Sequence, residues 1–432
     1  MSSVQLGDHF APRCGFPVSF NPDIVVVGCG VAGATAAETA ASLGSRVLVL
    51  EEHDRVGVPS HCSGHVGIKS MKRFASPFPH KIIKNEIRGA TFHSPSGQIL
   101  QLERRSPITW VLDRRAFDGH LAAKVQDAGA HIQLNSRATS MQVLERGKLQ
   151  LQVAARGQYR KVDCKLVVDS EGAAPVLRPQ DSSSECRRWM WVNSAQVHVD
   201  RAKDVDQEMV EVYFGSAYAP GLFAWIIPWK DGTAKVGLAA REGNARLLLE
   251  KFMTKHPIAS QKLAGSSSCD VSFHPMPLGG PISKTFRDRM LIVGDSAQQV
   301  KPTTGGGIVF GLICGRVAGE VAHEACTLGD TSESYLSRYE KRWKSMIGRD
   351  LNIMRRMRRM LFRLPDRRLE KIFSIARSLD AATVLNRADD IDMQGRTLAK
   401  LAVDPRLLVT LICSSVLALP ILTDHSRGLL EG

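Results

Sequence analysis

The sequence predicts an α/β chain in which a dinucleotide-binding domain on a parallel sheet carries a second domain on an antiparallel sheet, with a helical C-terminal region after them. Three observations predict it. Residues 23–50 read as an apolar β-branched run, a glycine turn, an alanine-rich helix and a second apolar run, the pattern of a βαβ unit. From about residue 189 to 281, short strand-like runs replace helical spacing. The chain then returns through an apolar run at 290–293, a glycine-rich turn and a helix from about 307 to 327.

Element by element, the expected organisation is an N-terminal arm at 1–22, a first part of the dinucleotide domain at 23–185, an antiparallel-sheet domain at 186–285, a return segment at 286–330 and a basic helical region at 331–432. A chain of 432 residues exceeds one ordinary core. The arm is polar and broken by prolines, without the apolar centre of a signal peptide. Phe117, Leu121 and Val125 recur at helical spacing before Gly129, which predicts a helix over about 113–130. Residues 153–168 read as hairpin strands, and 209–214, 222–228 and 234–238 as strands of the antiparallel sheet.

Composition narrows the partners. The net charge is +14, and the excess lies late in the chain, which favours an anionic membrane surface over nucleic acid, for which no motif is present. Nine cysteines without paired spacing indicate neither a disulfide framework nor a metal site, and so a reducing compartment, the cytoplasm.

Gly28, Gly30 and Gly33 form GxGxxG directly after an apolar run. Gly28 permits the tight turn, Gly30 lets a phosphate approach the backbone, and Gly33 lets helix and strand pack closely. The helix start then aims free N–H groups at a pyrophosphate. Glu51 ends the next strand, where a carboxylate accepts hydrogen bonds from ribose hydroxyls and repels a 2′-phosphate. The segment LIVGDSAQQVKPTTGGGIVFG, with Gly294 and Asp295 at a strand end, makes FAD rather than free NAD the expected cofactor, because a lone pyridine nucleotide needs no such return.

Together these segments resemble the glutathione-reductase-like Rossmann flavoproteins of the aromatic-hydroxylase and geranylgeranyl-reductase branch. The resemblance implies that Asp295 bonds a ribityl hydroxyl and that Gly306, Gly307 and Ile308 lie against the isoalloxazine edge. In LDRRAFD, Arg114 matches the family's arginine near the FAD phosphates, and Ala138 stands where a backbone contact to adenine is expected. VVDSEGAAPVLR resembles the hydroxylase DG fingerprint, with Glu171 in place of its aspartate.

Three further stretches point to the geranylgeranyl reductases within that branch. GVPSHCSGHVG resembles the family's PxxCxxG region, placing Cys62 and Ser63 against the flavin, with Cys62 as the candidate catalytic residue. Against this stands the ordinary reading of a lone cysteine as a small buried hydrophobe. His65 is a candidate proton donor or an exposed loop histidine. PGLFAWIIP resembles the PxxYxWxFP substrate motif, with Phe223 for Tyr and Ile227 for Phe, which makes Phe223, Trp225 and Pro228 the expected prenyl contacts, Trp225 being otherwise a sheet-core residue. KPTTGGG, residues 301–307, matches the same branch.

The resemblance implies an FAD-dependent reductase that saturates C=C bonds of geranylgeranyl chains in isoprenoid membrane-lipid precursors, drawing on NAD(P)H or reduced ferredoxin and so on an electron-donor protein. A flavin monooxygenase and an electron-transfer subunit are the alternatives on this fold. Within 349–371, Met354, Met357, Leu361 and Leu364 fall on one helical face among many arginines. That is either a helix lying on an anionic membrane surface or one packed on the body with its arginines in water. Residues 407–422 are short for a bilayer span and contain Pro420, so peripheral rather than transmembrane association is expected.

Overall fold

Four short apolar runs, every residue buried, build the centre of the protein, as parallel strands covered on both faces require. In this computed structural model, which describes residues 20–144, 148–177, 190–268, 270–361, 364–378, 391–393 and 395, they belong to a six-stranded sheet. Its order is Phe286–Arg287, Met290–Ile292, Leu166–Asp169, Ile24–Val27, Val47–Leu50, His131–Gln133, with only the first strand antiparallel to its neighbour. Residues 1–19 of the expected arm and the 407–422 segment lie outside the described residues.

The helices used below are α1 (Val31–Ser42), α2 (Ile68–Phe74), α3 (Arg114–Asp127), α4 (Ala245–Lys255), α5 (Ile308–Leu328), α6 (Glu333–Trp343), α7 (Arg349–Leu361) and α8 (Asp366–Ser378). One face of the parallel sheet packs Ile24, Val26, Val47 and Val49 under the alanines of α1 and the apolar side of α5. The other face packs Val25, Val27, Leu48 and Leu50 under an antiparallel meander, Ser136–Val143, Leu149–Ala155 and Gln158–Cys164. Asp113 caps α3, accepting from the N–H groups of Arg115 and Ala116.

The second sheet has seven strands in the order Ser272–Pro277, Trp191–Val199, Ala234–Ala240, Phe223–Pro228, Met209–Tyr213, Gly89–His93, Ile99–Glu103. All its pairs are antiparallel except Met209–Tyr213 with Gly89–His93. Residues 89–103 thus join this sheet, although they fall within the stretch expected to build the dinucleotide domain. Their partner strand lies more than a hundred residues downstream, and a parallel pairing without a helical crossover leaves no local signal. Alternation divides the strand Phe223–Pro228: Ala224 and Ile226 enter the core beneath α4, and Phe223, Trp225 and Ile227 point the other way.

The C-terminal helix expected over 349–371 is two helices, α7 and α8, the second beginning just after Pro365. Met354 is fully buried, while Met357, Leu361 and Leu364 line a cavity of the protein itself. The apolar stripe therefore covers the body, and Arg356 and Arg359 remain exposed. No described helix is long and apolar enough to cross a membrane.

Candidate active site

The glycine turn shows what each glycine is for. Gly28 has φ +94°, and a Cβ there would fall 2.5 Å from the Ser170 carbonyl oxygen; one on Gly33 would fall 2.0 Å from that of Gly28. A Cβ on Gly30 would meet nothing within 4 Å, and Gly30 opens on a cavity of about 1150 Å³. Two glycines are thus demanded by the fold and one leaves room for a group that is not protein. Gly30 also caps α1 without a side-chain hydrogen bond, leaving the first N–H groups of the helix for an anion, so the turn fits the FAD pyrophosphate. Glu51 sits behind the turn, its carboxylate accepting from Cys29 N at 2.8 Å and His53 N at 3.1 Å.

The return segment meets the same cavity. Gly294, Asp295, Gly306, Gly307 and Ile308 all line it, and α5 starts from Gly307, again with no side-chain cap. Asp295 Oδ2 lies 3.4 Å from His274 Nε2, and His274 stacks on His61 with ring centroids 5.6 Å apart, so this acid faces the Cys62 loop.

Cys62 and Ser63 line the cavity beside Arg114. The Cys62 sulfur accepts the Gly64 N–H at 3.4 Å. Arg114 forks onto Asp118 through contacts of 2.9–3.2 Å; burial works against its charge, but Asp118 and Cys62 outweigh that and hold it firmly protonated. His65 bonds Thr109 Oγ1 through Nε2 at 2.7 Å. Burial, with Lys301 adding repulsion, pushes its pKa down to about 4, so its imidazole is neutral at neutral pH.

Beyond these polar groups much of the wall is apolar: Phe92, Val212, Phe214, Phe223, Trp225, Ile227 and Met276 on the side of the second sheet, with Met357, Leu361 and Leu364 from the C-terminal region, while Lys69, Lys72, Arg104, Arg358 and Asp366 add charge to it. Of the expected site residues, Ala138 and Pro228 lie elsewhere, and Glu51, its carboxylate taken up by Cys29 N and His53, does not line the cavity either. Ala138 is fully buried between the parallel sheet and the meander, paired with Val153 and away from the cavity. Pro228 points with Ala224 and Ile226, and its carbonyl accepts from Asn85 Nδ2 at 2.9 Å; Ile227 takes the cavity-facing place. A motif gives the positions of these residues but not the face of the strand on which they fall.

Two residues had no sequence signal. Asp392, 2 % exposed, accepts from Lys301 Nζ and from Gly67 N, both at 2.8 Å. Lys235 reaches the Cys62 carbonyl oxygen, also at 2.8 Å. Their partners are 91 to 325 residues away, and no local pattern announces them.

Glycine turn, return segment and shared cavity define an FAD-dependent oxidoreductase. The model of the FAD-dependent oxidoreductase family matches residues 23–212, and that of the geranylgeranyl reductase catalytic domain matches 192–266. Similar proteins include digeranylgeranylglycerophospholipid reductase 2 of Methanothermobacter thermautotrophicus, 33% identical over 84% of this chain and 93% of its own length. The digeranylgeranylglycerophospholipid reductase of Methanocaldococcus jannaschii is 31% identical over 83% of this chain and 91% of its own. A solved geranylgeranyl bacteriochlorophyll reductase-like protein from Thermoplasma acidophilum superposes with a TM-score of 0.75 at 25% identity, covering 89% of this chain and 96% of that one. The chain belongs to the geranylgeranyl reductase family of FAD-dependent oxidoreductases.

Proposed function

We propose that this enzyme saturates C=C bonds of geranylgeranyl chains in a digeranylgeranyl glycerophospholipid precursor. The observation that carries the reading is one continuous cavity, polar and glycine-lined where FAD would lie and largely aromatic and aliphatic beyond it. An isolated alkene offers no group to hydrogen-bond, so alignment rests on shape and apolar contact, which Phe223, Trp225 and Phe214 supply. Gly30 and the α1 N-terminus would hold the pyrophosphate, Asp295 the ribityl chain, and Gly306–Ile308 the isoalloxazine edge, with Arg114 and the Cys62–Ser63 loop on the facing wall. Bound there, FAD supplies the hydride. The protein's part is to keep one double bond within reach and to exclude water.

The reductant is external in this reading, NAD(P)H or reduced ferredoxin from a donor protein. Exposed Met360 and Leu361, beside Arg356 and Arg359, give α7 a lip suited to an anionic lipid surface at the cavity's edge, making the enzyme a peripheral protein of the cytoplasmic membrane face. The test is to incubate FAD-loaded, dithionite-reduced enzyme with digeranylgeranyl lipid under anaerobic conditions and weigh the product. A gain of one H₂ per reduced bond is expected. Unchanged lipid, or turnover that requires oxygen, overturns the reading.

A further inference from the structure

We infer that Lys235 is a positioning residue that fixes the Cys62 loop relative to the strand carrying the cavity aromatics, an inference that rests on the reductase reading above. Lys235 lies in Ala234–Ala240, a central strand on which every residue is buried, and is itself 8 % exposed. A buried ammonium is costly unless partnered, and among the described residues no carboxylate forms an ion pair with it. Its hydrogen bond goes instead to the Cys62 carbonyl oxygen at 2.8 Å, and its Nζ lies 5.6 Å from the Trp229 ring centroid. The cross-strand partner of Lys235 is Ile227, which lines the cavity; two residues on, Gly237 lies so close to Trp225 that a Cβ would fall 2.6 Å from the indole. One short strand therefore seats the tryptophan and tethers the loop that bears Cys62, and the distance between them is set by this lysine.

The bond weakens when the ammonium loses its proton. Burial, with Arg114 also opposing the charge and Cys62 favouring it, pushes the Lys235 pKa down to about 8. The charged groups facing it are Cys62 on the loop, Asp113, Arg114 and Arg115 at the start of α3, Lys84 over the same indole, and His198 on the neighbouring strand.

Lys235→Met and Lys235→Arg, compared with wild type, test the inference. Met matches the stem without burying a charge, so melting temperature should hold. In the FAD-loaded enzyme, Lys235→Met should lower kcat for lipid about tenfold or more with KM unchanged, the scale of one charge-assisted hydrogen bond. The wild-type decline in kcat above about pH 8 should vanish in Lys235→Met and, in Lys235→Arg, which restores kcat, move beyond the measurable range. In the cofactor-free protein, iodoacetamide should alkylate Cys62, followed on its own peptide, about fivefold faster in Lys235→Met, because the loop opens more often. Wild-type kcat in Lys235→Met, an alkaline decline that persists there and so belongs to another group, or unchanged alkylation would each overturn the inference. If wild type itself fails to reduce lipid, the reductase reading falls while the alkylation rates still decide the role of Lys235.

Discussion

Asp295 and Trp225 show how differently two cavity residues are held. Asp295 is partly exposed, and among the described residues its carboxylate makes a long contact of 3.4 Å with His274, so Asp295→Ala should cost little folding stability. It should weaken FAD retention by about 1.5 to 3 kcal/mol, the value of a hydrogen bond to an ionised acceptor, which flavin fluorescence on dilution measures; unchanged affinity removes the residue from the site. Trp225 packs on Gly237 and donates from Nε1 to Gln196 Oε1 at 3.3 Å. Trp225→Ala should keep FAD and dye reduction while lipid turnover falls. A fall in melting temperature matching about 3 to 5 kcal/mol, the cost of truncating a core aromatic, would instead mark it as sheet core. The glycines were readable in the sequence because backbone geometry dictates them one by one. Lys235 and Asp392 were not, since only the folded chain brings each to its partner.

At the level of elements, helices and strands followed their periodicities: α5 begins and ends within a residue of its expected span, closed by Gly329 with φ +70°, and α3 begins within a residue of its span, where Asp113 caps it, but ends three residues early. Pairing across long intervals was hidden, as the strands of 89–103 illustrate. The C-terminal arginines had two readings from sequence, and α7 turns Met354 and Met357 inward while Met360 and Leu361 stay exposed beside a basic outer face. Arg356→Glu with Arg359→Glu should therefore reduce co-sedimentation with vesicles rich in anionic lipid, more at low salt than at high, and leave melting temperature and FAD content unchanged. Equal vesicle binding would remove α7 from any membrane contact.

For the whole molecule, acid should be more damaging than the surface charge implies. Burial pushes both His65 and His256 down to about 4 from 6.5, with Lys301 assisting at the first and His93 at the second. Below pH about 6.5 the unfolded chain takes up protons that the folded chain refuses until about pH 4, so the stability these two neutral histidines confer falls across that window, and their contribution levels off beneath it. Melting temperatures measured through the window should drop for wild type and drop less for His65→Gln and His256→Gln; equal slopes would mean that neither imidazole is held neutral by the fold.

Asp392 gives the site an order in time. A ribosome delivers Gly67 and Lys301, with both sheets, well before it delivers the carboxylate that joins them. Without Asp392 the lysine would lack this counter-charge and the Gly67 amide this acceptor, and both would have to turn to water. One wall of the cavity is thus fastened at both of its edges by a single carboxylate from the C-terminal region.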